Sequence, residues 1–173
     1  RIRGLGIATK LAPAPTPFIF TGPGSFAELV GMIADRGLRS VLVVTDAVLL
    51  ELNVVDPVLA ALKAAGITAH VYSDVEPDPT IAVVMKGVAR LKEAGADAVL
   101  AVGGGSPIDA AKAIIACRAQ GCSPEALDGY FKVRKAVLPF FSIPTTAGTG
   151  SEVTIVSVIS DPEAQRKFAI VDN

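Results

Sequence analysis

Residues 98–112 carry the strongest constraint in this chain: the apolar run Ala98-Val99-Leu100-Ala101-Val102 leads without a break into Gly103-Gly104-Gly105-Ser106-Pro107-Ile108-Asp109-Ala110-Ala111-Lys112. A short buried strand followed by three glycines and a helix start is the sequence of a phosphate cradle. Glycine admits positive φ and close approach to a ligand, and Ser106, Pro107 and Asp109 fall where N-cap, N1 and N3 residues of the next helix are expected. The free N–H groups at such a helix start, with roughly half a positive charge from the helix dipole, favour an anion, and a pyrophosphate fits best.

The flanking pattern sets the cradle in an α/β frame. Ser40–Thr45, Thr68–Tyr72, Asp97–Val102 and Leu138–Ile143 read as strands. Ser25–Arg36, Pro57–Ala65, Pro79–Ala94 and Pro107–Ala116 read as helices between them. This alternation predicts a mainly parallel sheet with helices on both faces, a Rossmann-like α/β fold. Phe18–Phe20 reads as a further short strand, and Glu152–Ser160 with Lys167–Val171 as a closing β-hairpin. Residues 1–16, rich in Ala and Pro, read as an N-terminal arm, and residues 17–173 as one dinucleotide-binding domain. The chain opens at Arg1 and its first methionine is Met32, which reads as a processed or excised piece.

Composition narrows the partners. A net charge of −1 and the absence of a basic run argue against nucleic acid or an anionic membrane surface. The apolar stretches stop well short of the ~20 residues of a membrane span, and no signal-peptide pattern opens the chain, so a cytoplasmic setting is expected. With 51% hydrophobic residues and a mean hydropathy of +0.52, part of the surface is expected to be covered, and a homo-oligomer is one way to cover it. Cys117 and Cys122 lack a second pair or a nearby histidine and read as buried or incidental thiols. His70, the single histidine, reads as a packed or surface residue in a strand.

Two segments compete for the phosphates. Gly22-Pro23-Gly24-Ser25-Phe26-Ala27 matches G-x-G-x-x-G/A, with Asp46 at about the ~20-residue distance expected of a ribose carboxylate. Pro23 removes one of its N–H donors, and a tight turn into the first helix would read the same way. The loop at 103–106 offers more donors and a marked helix start, although its glycines could also serve only helix–strand packing. Asp46, at the end of a strand, can accept from a ribose diol and repel a 2′-phosphate, favouring NAD over NADP; capping the next turn is its other reading. Pro144-Thr145-Thr146-Ala147-Gly148-Thr149-Gly150-Ser151-Glu152 gathers hydroxyls and glycines directly after a strand, and such a loop can wrap the polar parts of a cofactor. No G-x-S-x-G elbow or Walker A Gly-Lys-Ser/Thr is present.

The glycine segment and the threonine segment together resemble the iron-containing (group III) alcohol dehydrogenases. Val44-Thr45-Asp46, Pro77-Asp78-Pro79-Thr80 and Arg166-Lys167-Phe168 stand in that family's order. The resemblance implies the N-terminal dinucleotide-binding domain of an enzyme that interconverts small alcohols and aldehydes with a nicotinamide cofactor. It implies cofactor roles for Asp46 at the adenosine ribose and for Gly103, Gly104, Gly105 and Ser106 at the pyrophosphate. Asp109, Thr145, Thr146, Thr149, Val158 and Lys167 would lie beside the cofactor. Asp78 stands where many members carry Asn.

The resemblance also implies Fe2+ or another divalent ion held by one Asp and three His of a following all-helical domain, which is expected to lie outside this chain. With one histidine, this chain cannot supply that set, so the metal ligands are expected outside it and the isolated domain is expected to be inactive. A stand-alone nucleotide-binding module, or the same domain of a glycerol dehydrogenase or dehydroquinate synthase, would carry the same glycine triplet.

Overall fold

The computed structural model describes residues 17–172. Four strands form a parallel sheet: β1 (Ser40–Val44), β2 (Thr68–Tyr72), β3 (Ala98–Gly103) and β5 (Phe140–Pro144), in the order β2-β1-β3-β5. Val41 through Val44 and Ala98 through Val102 are buried, so the two central strands read as unbroken apolar runs because both faces are covered. Along β1 the side chains alternate between two cores. Val41 and Val43 join Leu29, Ile33 and Leu62 of α1 (Phe26–Asp35) and α3 (Asp56–Ala64). Leu42 and Val44 join Val84, Leu91 and Ile114 of α4 (Ile81–Ala94) and α5 (Gly105–Gln120).

α5 is enclosed more completely than its neighbours. Nine of its 16 residues are buried, because a second sheet packs on its far side. That sheet is β4 (Gly129–Tyr130), β7 (Arg166–Val171) and β6 (Val156–Asp161), in the order β4-β7-β6, with β6 and β7 forming the expected antiparallel hairpin. Ile159, Phe168 and Ile170 of the hairpin enter the same core as α5. α4 crosses α5 closely at Gly87, where a Cβ would run into the Ile114 side chain.

Several expectations move. Phe18–Phe20 forms no strand; Phe18 and Ile19 are 74% and 67% exposed, and no sheet edge pairs with them among the described residues. Gly22-Pro23-Gly24 is a tight turn into α1, closed by Ser25 N–H to the Gly22 carbonyl at 3.2 Å, and with no strand before it the dinucleotide fingerprint there lacks half of its unit. α4 begins at Ile81 rather than Pro79, because the Thr80 hydroxyl caps it by accepting from Val83 N–H at 3.3 Å. α5 starts earlier than expected: Gly104, in extended conformation, is the N-cap, and Ser106 lies inside the first turn. It also runs on past Ala116 to Gln120, where Gly121 ends it in the left-handed region at φ 72°. Glu152–Ser160 is split into a 3₁₀ turn (Ser151–Val153) and β6. The proposed arm, residues 1–16, lies outside the described residues.

Asp97 joins the two central strands at their entrance. Its carboxylate accepts from Arg39 N–H at 2.8 Å and Ser40 N–H at 3.2 Å, and its own N–H donates to the Ser40 carbonyl at 2.8 Å. Asp97→Ala is expected to lower the unfolding free energy by about 1–2 kcal/mol in urea denaturation, with no effect on ligand binding at the opposite end of the strands.

Candidate functional site

The strand order fixes where a ligand belongs. From β1 the chain steps to β2 on one side, then crosses back to β3 on the other, so the connections reverse between β1 and β3. Ligands of open α/β sheets sit outside the carboxyl ends of the strands at that reversal. Asp46 follows β1, the glycine loop ends β3, and the threonine loop follows β5, so all three converge on this edge.

The glycines divide their work. Gly103 has φ 155°, and a Cβ there would lie 2.5 Å from Pro107 Cγ, so this residue serves the tight strand-to-helix turn. Gly104 and Gly105 face the threonine loop instead. A Cβ on Gly104 would come within 3.0 Å of Thr146 Oγ1, and one on Gly105 within 3.3 Å of Ser151 Oγ. The two loops are joined by Thr145 N–H donating to the Gly103 carbonyl at 3.0 Å. Thr145, Thr146 and Thr149 remain exposed, lining one wall of an open cradle whose floor is the N-terminus of α5. The first N–H groups of that helix have no intrahelical partners, so the cradle offers donors to an anion.

Asp46 also caps. It is the N-cap of a short helix, α2 (Ala47–Glu51), and its Oδ1 accepts from Leu49 N–H at 2.9 Å. A carboxylate has two oxygens, so the cap and a ribose contact are compatible. Ser106 does not cap α5; its hydroxyl accepts from Asp78 N–H at 3.3 Å, linking the glycine loop to the turn before α4.

Asp109 and Lys112 bind the hairpin to α5. Asp109 Oδ2 accepts from Val158 N–H at 3.1 Å, and its backbone carbonyl accepts from the Ser157 hydroxyl at 2.7 Å. Burial pushes the Asp109 carboxyl above its ordinary range, opposed by the Val158 N–H and the Lys112 charge. Lys112 was not legible as a site residue from motif matching alone. Its ammonium donates to the carbonyls of Ser151, Thr154 and Val156, the last two at 2.9 Å, so it fastens the end of the threonine loop to the glycine-loop helix. Burial lowers its pKa, while Asp109 and Glu152 oppose the shift. The signal was present: Asp109 and Lys112 are three apart, on one face of a helix otherwise filled with Ala and Ile, where a charge requires partners.

Val158 and Lys167 stand on the hairpin above the same helix start, both exposed. Lys167 Nζ lies 2.6 Å from Asp78 Oδ1. Among the described residues no three of His, Cys, Asp and Glu come together, and His70 lies in β2 opposite Leu42, so these residues do not fit a divalent ion. Cys117 and Cys122 are free thiols, and burial pushes Cys117 up to about 12. No helix among the described residues is long and apolar enough to cross a membrane.

These features define a Rossmann-like α/β domain with a glycine loop and helix start at its topological switch. The profile of the iron-containing alcohol dehydrogenases matches residues 15–173, and the chain belongs to that family. It is 41% identical to lactaldehyde reductase of Escherichia coli (strain K12) over 153 residues, covering 87% of this chain and 40% of the relative. It is 35% identical to the NAD-dependent methanol dehydrogenase of Bacillus methanolicus over 156 residues, covering 90% of this chain and 41% of that protein. Among solved structures, a 1,3-propanediol oxidoreductase superposes with a TM-score of 0.84 at 30% identity, over 91% of this chain and 43% of that one. Sulfoacetaldehyde reductase from Bifidobacterium kashiwanohense in complex with NAD+ superposes with a TM-score of 0.78 at 27% identity, over 92% of this chain and 44% of that one. The chain thus spans about two-fifths of the length of the relatives it matches.

Proposed function

We propose that this domain binds NAD and, as part of a whole enzyme of its family, orients it for hydride transfer between a small alcohol and its aldehyde. The observation that carries the reading is the meeting of the glycine loop, the threonine loop and Asp46 at the β1/β3 reversal. Gly104, Gly105, Ser106 and the start of α5 would hold the pyrophosphate, with Gly103 making the turn that presents them. Thr145, Thr146 and Thr149 would supply hydroxyl and backbone donors along the dinucleotide. Asp46 would accept from the adenosine ribose with the oxygen its cap leaves free, while Val158 and Lys167 would flank the cofactor from the hairpin. Asp109 would hold Val158 in place beside it. The cofactor accepts or gives the hydride; this chain's residues bind it and fix its orientation. Cytoplasmic residence goes with this reading.

NADH is expected to bind more tightly than NADPH, because the Asp46 carboxylate faces a 2′-phosphate as a like charge. At ~4 Å and an effective dielectric of ~20 that repulsion is about 4 kcal/mol before screening. Asp46→Gly is expected to narrow the NADH-to-NADPH affinity ratio at least tenfold in fluorescence titrations, with a loss of only a few tenths of a kcal/mol from the cap. A chain indifferent to both cofactors would overturn the proposal and favour a module for another ligand.

A further inference from the structure

The Asp78–Lys167 contact joins segments far apart in sequence directly above the cradle. Asp78 is held from its backbone: its N–H donates to Ser106 Oγ at 3.3 Å, and the next residue, Pro79, accepts from Ser160 N–H at 2.9 Å. Ser160 is the register partner of Lys167 across the hairpin, so the same pairing that anchors the turn delivers the lysine to it. Asp78 itself lies in the left-handed region at φ 58°, where Asp and Asn are tolerated better than most residues. The carboxylate is therefore fixed beside the glycine loop with Lys167 Nζ at 2.6 Å, while both side chains remain more than half exposed.

Nothing in the fold needs that ion pair. The turn is held by backbone bonds and the hairpin by its ladder and its buried Phe168 and Ile170, so the pair stands where an anionic ligand arrives and binds no core. A dinucleotide on the glycine loop brings two negative phosphates toward Lys167, and that cation is already engaged by a carboxylate, while its neighbour Arg166 is turned to Asp128 and Asp161.

We propose that Asp78 is an affinity-setting residue. It competes with the cofactor for Lys167, so binding requires the lysine to leave the carboxylate, and release is assisted by its return. This rests on the NAD reading above.

The test is a double-mutant cycle on the whole chain, read by NADH fluorescence titration and stopped-flow dissociation. Asp78→Asn keeps the left-handed backbone and removes only the charge. It is expected to lower the NADH Kd about threefold, chiefly by slowing dissociation, as suits an exposed pair. Lys167→Met is expected to raise the Kd, and adding Asp78→Asn to Lys167→Met is expected to change nothing further. An unchanged or weaker Kd in Asp78→Asn overturns the competition. A gain that persists without Lys167 also overturns it and assigns the effect to direct repulsion of the phosphates. If the unaltered chain fails to bind NADH at all, the NAD reading falls and the proposal with it, an outcome distinct from binding that is indifferent to Asp78.

Discussion

Lys112→Met is expected to lower the unfolding free energy by about 3 kcal/mol, seen as a reduced midpoint in urea with little change in slope. The methionine keeps the apolar stem packed among Ala and Ile but gives up every donor of the ammonium. Three carbonyls, those of Ser151, Thr154 and Val156, lose their partner together, and Asp109 and Glu152 lose the cation between them. Removing a charge that is expensive to bury offsets part of this loss, so the expected change is about 3 kcal/mol rather than the sum of three charge-assisted bonds. The same variant is expected to weaken NADH binding, because the threonine loop is no longer fastened to the helix that carries the glycine loop. A stability loss below about 1 kcal/mol would mean that the bracket carries little of the load.

Gly103→Ala and Gly104→Ala are expected to separate folding from binding. At Gly103 a Cβ meets the Pro107 ring at 2.5 and 2.9 Å, and neither a rigid ring nor a backbone at φ 155° can yield. About 2–3 kcal/mol of stability should be lost, together with at least tenfold in NADH affinity. At Gly104 the neighbour is the Thr146 hydroxyl at 3.0 Å, on an exposed loop that can shift by a few tenths of an ångström. There the stability change should stay within about 1 kcal/mol while NADH affinity falls tenfold or more, since the methyl enters the space between the two loops. Equal effects of both substitutions on Kd and on unfolding would contradict this division of labour.

What the sequence revealed and what it concealed follow from range. The four parallel strands and the helices on both faces were legible because Val41–Val44 and Ala98–Val102 are continuous apolar runs of strand length, with helical spacing between them. The helix starts were less so. Ser106 looks like an N-cap by local chemistry, but its hydroxyl is taken by Asp78, 28 residues earlier, and Gly104 suffices as the cap. Phe18–Phe20 has strand composition and no strand to pair with among the described residues, a fact that no local window contains. The roles of Lys112 and Asp109 in holding the hairpin depend on contacts across 39 to 49 residues, so spacing on α5 could flag a partner without naming it. The pairing of Asp78 with Lys167 was hidden for the same reason.

Because α5 is enclosed by the main sheet, α4 and the small sheet together, the helix proposed to receive a ligand at its first turn is also the middle of the core that joins the two sheets. Such a helix cannot loosen at its N-terminus without disturbing the packing of its middle. On the NAD reading, occupancy of the cradle is therefore expected to be linked to global unfolding, not to a local one. A ligand present at 100 times its Kd should add about 2.7 kcal/mol to the stability of the entire domain, so a rise in melting temperature with ligand concentration measures affinity directly.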